Sequence, residues 1–166
     1  MVLRRASAKV ADRPSLPLEG SVGYQIRATH RLVQRALQAR IEPHGVTLGM
    51  WYYLRVLWDH DGLTQRELSR FIGTMEPTTL SAIAAMEKQG FVRRVRNAED
   101  KRKINVYLTR KGRELGERLL PLAIEVVETA TRSLSRAERD SLVRMLHTIQ
   151  RDLQSDLNEV DETLQP

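Results

Sequence analysis

One stretch of the chain, residues 64–108, constrains the fold more than any other. Thr64 and Glu67 have the spacing of a capping box, in which each side chain satisfies a backbone amide at the start of a helix. Gly73 can adopt the positive φ that ends such a helix. The apolar stripe of this helix is predicted to comprise Leu68, Phe71 and Ile72. A second helix and two strand-like segments follow, so the pattern predicts a helix-turn-helix with a β-hairpin, an arrangement that reads duplex DNA.

The second helix is expected to begin near Pro77, where a missing amide costs no hydrogen bond, and to end at Gly90. Its buried face is predicted to comprise Met75, Leu80, Ile83 and Met86. The opposite face is predicted to comprise small or hydroxyl-bearing residues: Thr78, Thr79, Ser81, Ala82 and Ala85. Thr78, Thr79 and Ser81 are candidate DNA contacts, because hydroxyl groups bind bases or phosphates in a major groove. An ordinary small-residue helix surface is the alternative.

Residues 92–95 and 104–108 alternate like strands, and the loop between them is basic. The hairpin supplies further candidate DNA contacts: Arg94, Arg96, Lys101, Arg102 and Lys103. Arg102 is expected to enter a minor groove, because a narrow groove concentrates negative potential. Asp100, two residues earlier, is predicted to hold that arginine in position. A solvated turn is the alternative for such a loop considered alone.

Residues from about 20 to 157 resemble the multiple antibiotic resistance regulator (MarR) family of winged-helix transcription factors. The motifs that carry the resemblance are Leu68-Ser69-Arg70, Met86-Glu87-Lys88-Gln89-Gly90-Phe91-Val92, Asp100-Lys101-Arg102 and Leu108-Thr109-Arg110-Lys111-Gly112. The resemblance implies a two-fold dimer with a recognition helix in the major groove and a wing in the minor groove. It also implies release from DNA when an aromatic or phenolic compound binds between the dimerisation and DNA-binding parts.

We predict a mainly α-helical fold with a small β-wing, in which long N- and C-terminal dimerisation helices carry a winged helix-turn-helix. Residues 1–18 are expected to be a flexible basic tail, or else an arm that touches DNA or the partner subunit. Residues 19–166 are expected to form one domain. Its predicted parts are a winged helix at about 47–108 and dimerisation helices at about 19–42 and 110–164.

Apolar residues on the last helix recur at alternating steps of three and four, close to a coiled-coil seam. These positions are Leu142, Leu146, Ile149, Leu153, Leu157, Val160 and Leu164. A second stripe, on the first helix, comprises Val22, Ile26, Leu32, Val33, Ala36 and Leu37. The terminal seam needs a partner, either the first helix of the same chain or the helices of a second subunit. A dimer would read two half-sites roughly 10 base pairs apart, which predicts a pseudo-palindromic operator.

Four of the eight aromatic residues lie between positions 51 and 58, on a helix that Thr47 can cap. Aromatic walls with a few polar tips suit a small aromatic acid or its thioester as effector. The candidate ligand contacts are His30, Trp51, Tyr52, Tyr53 and Arg55. Arg55 would pair with a carboxylate. Core packing explains the aromatic cluster equally well.

The net charge of +6 is unevenly distributed. Residues 61–113 hold 12 basic and 6 acidic side chains, whereas residues 114–166 hold 6 and 11, so the middle of the chain is expected to bind a polyanion. The absence of cysteine excludes disulfides and thiol-based sensing. No apolar run long enough to span a membrane is present, and a cytoplasmic protein is expected.

No phosphate-binding glycine loop or nucleophile motif is present, and the four histidines lack metal-ligand spacing. We therefore expect no enzyme activity, no cofactor and no metal. The predicted function is a dimeric, sequence-specific transcriptional regulator, a repressor that a small aromatic or phenolic ligand or its thioester releases from DNA. The alternatives are a winged-helix protein-interaction module and a constitutive DNA binder with no small-molecule ligand.

Overall fold

The computed structural model describes residues 17–163, with side chains as far as residue 160. Most of the tail predicted at residues 1–18 therefore lies outside the described residues. The elements in chain order are α1 (Val22–Ile41), a 3-10 turn (Glu42–His44), α2 (Leu48–Asp59), α3 (Gln65–Ile72), α4 (Glu76–Lys88), β1 (Val92–Arg96), β2 (Ile104–Leu108), α5 (Arg110–Thr131) and α6 (Arg136–Thr163). The mainly α-helical fold with a two-stranded wing is confirmed.

Local side-chain caps explain where the helices begin. A hydroxyl oxygen before each of five helices accepts a hydrogen bond from a backbone amide in the first turn. These caps are Ser21, Thr47, Thr64, Thr109 and Ser135. The first helix consequently begins at Val22 and not at Glu19, where the sequence pattern placed it. Gly73 ends α3 with a φ of 69°, as its position predicts.

The wing is an antiparallel hairpin in which Val92 pairs with Leu108 and Arg96 with Ile104. A short segment before α3, Gly62 and Leu63, pairs with the free edge of β2. The Gly62 amide donates to the Val106 carbonyl at 3.1 Å, and the Val106 amide donates to the Leu63 carbonyl at 2.8 Å. This extra pairing, which the sequence did not predict, attaches the base of the wing to the helix-turn-helix.

Helix α2 is the centre of the core, because it packs against α1, α3, α4 and α5. Fully buried apolar side chains of α2 and of the elements around it form this core: Leu54, Leu57, Leu68, Ile83, Met86, Leu115 and Leu119. Two glycines on α5 allow close approach. A Cβ on Gly112 would overlap the Phe91 carbonyl, and one on Gly116 would come 2.8 Å from the Trp58 ring nitrogen. Helix α5 is therefore seated directly on the winged-helix unit.

The outer helices leave apolar side chains uncovered. On α1, Leu37 and Ile41 are buried, but Val22 and Leu32 of the predicted stripe are exposed. On α6, Leu153, Leu157 and Val160 of the predicted seam are exposed, and the contacts of α6 with other described elements are at most marginal. Leu164, the last position of the seam, lies outside the described residues. Pro121 lies exposed inside α5, which continues through it. Of the two partners that the sequence allowed for the seam, α1 of the same chain does not cover it.

Between residues 17 and 163, no helix combines the length and the apolar character needed to cross a membrane. The same residues contain no group of three or more His, Asp or Glu side chains that could hold a metal ion.

Candidate nucleic-acid interface

The orientation of α4 differs from the sequence prediction. Met75 and Leu80, predicted to be buried, are exposed, whereas Thr79, predicted to face DNA, is 1% exposed. The physical reason is that the buried stripe runs through Thr79, Ile83 and Met86, positions separated by four and three residues. Phe71 on α3 is also exposed, where it stacks on His60. Thr79 is therefore removed from the candidate DNA contacts.

The outward face of α4 comprises Thr78, Ser81, Ala84 and Lys88. It is small, hydroxyl-bearing and free of acidic groups at its centre, which suits insertion between two phosphate backbones. The Ser81 hydroxyl donates to the Pro77 carbonyl at 3.0 Å and keeps its lone pairs available to accept from a base. Lys88, at the helix end, adds a positive charge that the sequence analysis did not single out.

The wing tip is organised by two short acidic or amide side chains. The Asn97 side-chain oxygen accepts hydrogen bonds from the Glu99 and Asp100 amides, both at 2.9 Å. The Asp100 carboxylate then accepts from the backbone amide and the Nε of Arg102, at 3.1 and 3.2 Å. Sequence reasoning placed this contact correctly, and it leaves the guanidinium of Arg102 projecting from the tip.

Arg94 is engaged with α4. Its Nε and Nη2 atoms donate to the Glu87 carboxylate at 2.9 and 2.7 Å, and its backbone amide donates to the same group. This pair joins the end of α4, which is the recognition helix of the helix-turn-helix, to β1, the first strand of the wing. A phosphate contact by Arg94 would have to share the guanidinium with Glu87. The other predicted basic contacts, Arg96, Lys101 and Lys103, are exposed.

Three acidic groups on this surface, Glu67, Glu87 and Asp100, have hydrogen-bond donors within the chain. Hydrogen bonds from the Thr64 side chain and amide lower the pKa of Glu67, and a hydrogen bond from the Arg94 side chain lowers the pKa of Glu87. The Arg102 side chain and amide likewise lower the pKa of Asp100. Each carboxylate is therefore ionised at neutral pH and turned toward a donor of its own chain. The repulsion that they would exert on phosphates is reduced accordingly.

A cleft of about 420 Å³ separates α3 from the wing. Its basic lining comprises Arg66, Arg70, Arg102 and Lys103. The Gln65 side-chain nitrogen, also in this lining, is buried without a hydrogen-bond partner. The sequence signal for Arg66 and Arg70 was their i, i+4 spacing on the polar face of an amphipathic helix.

Comparison with known proteins identifies the group to which this architecture belongs. Residues 46–104 match the model of the MarR family. The HTH-type transcriptional regulator YwoH of Bacillus subtilis is 30% identical over 96 residues, which cover 58% of this chain and 69% of the relative. The chain belongs to the MarR family. TtmR of Methylorubrum extorquens, another HTH-type transcriptional regulator, is 28% identical over 130 residues, covering 77% of this chain and 67% of TtmR.

Solved MarR-family structures share the fold. A MarR transcriptional regulator from Methanosarcina mazei Go1 superposes with a TM-score of 0.73 at 29% identity, covering 80% of this chain and 96% of that one. The repressor CouR, solved bound to a 23-mer DNA duplex, gives a TM-score of 0.75 at 28% identity, with coverage of 82% and 99%. The protein is thus a DNA-binding transcriptional regulator of the MarR family, and its matched relatives are regulators and not enzymes.

A second concavity in this MarR-family chain lies where α1, α2 and α5 meet. It is a largely apolar cleft of about 650 Å³ whose lining includes Trp51, Tyr52 and Arg55. These three were predicted ligand contacts. Two other predicted contacts lie elsewhere. Tyr53 points away from its neighbour Tyr52 because successive residues on a helix point about 100° apart. Tyr53 is buried with its hydroxyl against α4, and His30 is exposed on α1 outside the lining of the cleft.

Asp61 is a structural residue that no motif in the sequence indicated. Its carboxylate accepts a hydrogen bond from the Leu108 amide at 2.7 Å and contacts an Arg113 guanidinium nitrogen at 3.4 Å. It thereby connects the end of α2, the base of the wing and the start of α5. No spacing rule connects residues 47 positions apart, so only the fold reveals this junction.

Proposed function

We propose that this regulator is a homodimeric repressor that a small aromatic acid, a phenolic compound or a corresponding thioester releases from a pseudo-palindromic operator. The observation that carries the proposal is the apolar cleft between α1, α2 and α5. It lies between the winged helix at about 47–108 (the DNA-reading unit) and the part of the chain whose helices α1 and α6 expose apolar side chains. Its volume falls within the range of small-molecule pockets, roughly 300–1,000 Å³.

The chemistry of the cleft favours a flat apolar molecule with one polar end. Trp51 and Tyr52 offer aromatic walls, and Arg55 lies at the margin, 2.7 Å from Asp59. A ligand carboxylate could share the Arg55 guanidinium with Asp59 or replace it. The Tyr52 hydroxyl accepts from the Gln34 side chain at 3.1 Å and keeps its own proton available for the ligand.

The proposed dimer uses residues 19–42 and 110–164 as its dimerisation part and about 47–108 as its winged helix. The uncovered stripes of α1 and α6 support this division, because large exposed apolar patches mark interaction surfaces. In each subunit, Thr78 and Ser81 would enter a major groove, and Arg102 would enter the adjacent minor groove. Arg96, Lys101 and Lys103 would contact phosphates nearby.

Release follows if the ligand binds the DNA-competent and DNA-incompetent dimers unequally. We expect a ligand to lower DNA affinity by a factor of roughly 5 to 150, the usual size of such coupling. The reciprocal effect, weaker ligand binding in the presence of DNA, must have the same magnitude.

The test begins with a thermal-shift screen of aromatic and phenolic acids and their coenzyme A thioesters. A ligand present at about 100 times its Kd adds roughly 2.7 kcal/mol to the free energy of unfolding. Hits are then titrated into a complex with duplex selected from a random-sequence library, with fluorescence anisotropy as readout. Ile124→Trp fills the cleft from α5 and should abolish the response, whereas Glu125→Trp, directed away from it, should not. A stabilising compound that leaves DNA binding unchanged would contradict the proposed mechanism.

A further inference from the structure

A closed ring of three hydroxyl groups joins α2 to the recognition helix. The Tyr53 hydroxyl lies 3.0 Å from the Thr74 hydroxyl and 3.2 Å from the Thr79 hydroxyl, and the two threonines lie 3.1 Å apart. Tyr53 is 2% exposed and Thr79 is 1% exposed. Each hydroxyl has one proton and can also accept, so each of the three can donate to one neighbour in the ring and accept from the other. The Thr79 hydroxyl also lies 3.4 Å from the Met75 carbonyl, a second and longer contact within its own helix end.

The ring connects α2 to the start of α4, the recognition helix, and to the turn that precedes it. Thr79 lies in the first turns of α4, and Thr74 lies in the turn between α3 and α4. The buried Ser69 hydroxyl donates to the Thr74 carbonyl at 2.6 Å, and the Thr74 amide donates back to the Ser69 carbonyl at 3.0 Å. Tyr53 is thus the single side chain through which α2 is hydrogen-bonded to this turn and helix among the described residues.

The position of Thr79 bears directly on DNA reading. Residues in the first turns of a recognition helix contact base edges, and the outward-facing Thr78 and Ser81 lie one and two positions from Thr79. Base contacts require correct placement of donors and acceptors, whereas phosphate contacts are less sensitive to small displacements and carry no sequence information. A helix free to rock would therefore lose base discrimination before it loses general DNA affinity.

We propose that Tyr53 is a positioning residue for sequence discrimination, and that its hydroxyl acts through the ring with Thr74 and Thr79 to fix the angle at which α4 meets the bases. Tyr53 does not touch DNA itself. Because Trp51 and Tyr52 on the same helix line the α1–α2–α5 cleft, the ring also gives that cleft a direct connection to the recognition helix. The proposal rests on the sequence-specific DNA binding proposed above.

The first experiment compares Tyr53→Phe with the wild-type protein on two duplexes. One is the duplex that the wild-type protein selects from a random-sequence library, and the other is a shuffled duplex of the same composition. We expect the ratio of the two affinities to fall roughly 5- to 10-fold, the size of effect expected when a buried hydroxyl and its hydrogen bonds are lost. The affinity for shuffled duplex and its dependence on salt should stay at wild-type values, because phosphate contacts are unchanged.

A matched pair at Thr79 separates hydrogen bonding from packing. Thr79→Ser retains the hydroxyl and loses a methyl group, whereas Thr79→Val retains the volume and loses the hydroxyl. Both variants should lower the melting temperature, but only Thr79→Val should lower the affinity ratio.

A double variant tests whether Tyr53 and Thr79 act through the same ring. The double variant Tyr53→Phe with Thr79→Val should lower the affinity ratio no further than either single variant, because each already opens the ring. A wild-type ratio in Tyr53→Phe, or an equal loss of ratio in Thr79→Ser and Thr79→Val, would overturn the assignment. A wild-type protein that enriches no sequence would instead contradict the proposed function, and with it any role in discrimination. Circular dichroism confirms folding before each comparison.

Discussion

Arg102 illustrates how single residues prepare the wing for DNA. Its side chain is 91% exposed, and Asp100 holds its Nε and its backbone amide from one side. Fixing a long side chain in advance reduces the rotamer entropy that binding would otherwise cost. The sequence predicted this contact because both partners lie within one short loop, where geometry is set locally.

Replacing Arg102 with alanine is expected to weaken binding to selected duplex about 10-fold, equivalent to about 1.4 kcal/mol. The melting temperature should be unchanged, because the side chain is almost wholly exposed and contributes no core packing. Fluorescence anisotropy and thermal melting measure the two quantities. Arg118→Ala, which removes the same charge from α5, is the control and should bind DNA normally. Equal binding by Arg102→Ala and the wild-type protein would show that the wing is assigned wrongly.

The Glu87–Arg94 ion pair makes the stability of the folded protein depend on pH in the acidic range. Because the Arg94 side chain lowers the pKa of Glu87 in the folded protein, the ionised form stabilises folding. That contribution is fully present above the carboxyl's unfolded pKa, about 4.3, and is lost as pH falls through the lower folded value. Both side chains are partly exposed, so the contribution is at most about 1 kcal/mol.

Glu87→Gln should therefore melt below the wild-type protein at pH 7 and approach it as pH falls below about 4. The measurement is the melting temperature of both proteins from pH 7 to pH 3 at constant ionic strength. Glu99→Gln, on the exposed wing loop, is the matched control and should follow the wild-type curve at neutral pH. A difference that persists unchanged at pH 3 would contradict the assigned ion pair.

At the scale of elements, sequence reasoning located the helices of the winged unit better than it oriented them. Caps such as Thr47 and Thr64 are local, so the starts of α2 and α3 could be read directly. Apolar side chains do not mark the buried face of α4, because Leu80 and the preceding Met75 are exposed and the buried face includes a threonine. The spacing of apolar residues alone cannot show which face of such a helix is buried, which is why Thr79 was predicted on the wrong face.

Helix α6 shows the opposite case, in which the apolar seam was predicted and the single chain leaves Leu153, Leu157 and Val160 uncovered. Leu153→Glu is expected to dissociate the proposed dimer, because a charge within a buried apolar seam costs several kcal/mol unless it is paired. Sedimentation velocity at micromolar concentration measures the change. Ser155→Glu places the same charge on the opposite face of α6 and should remain dimeric. A monomeric wild-type protein would remove the seam's assigned role.

At the scale of the whole molecule, charge and shape separate two regions. The basic side chains of α3, α4 and the wing lie on the DNA-reading unit, and the chain after residue 113 is acidic. The sequence predicted this separation, because charge can be counted without coordinates. It could not place Asp61, Leu108 and Arg113 together, because that junction depends on how α2, the wing and α5 pack.

Binding of the proposed dimer to shuffled duplex is expected to weaken by roughly 1,000-fold or more between 50 and 200 mM salt, the effect of about six to ten phosphate contacts. Selected duplex should keep its advantage across this range, because base contacts release few counterions. Anisotropy titrations at four salt concentrations provide the measurement. An affinity independent of salt would indicate a docking module that does not engage phosphates.

The two glycines that seat α5 on Phe91 and Trp58 have a geometric consequence for regulation. They allow one end of α5, a helix of 22 residues and about 33 Å, to pack directly against the winged helix. A tilt of about 5° along such a helix displaces its far end by about 3 Å, close to the 3.4 Å between neighbouring bases. In the proposed dimer, tilting a helix of this length can move one subunit out of register with the DNA by one base step while every helix keeps its internal structure. Bound and released forms would then differ in distance between subunits and hardly at all in circular dichroism.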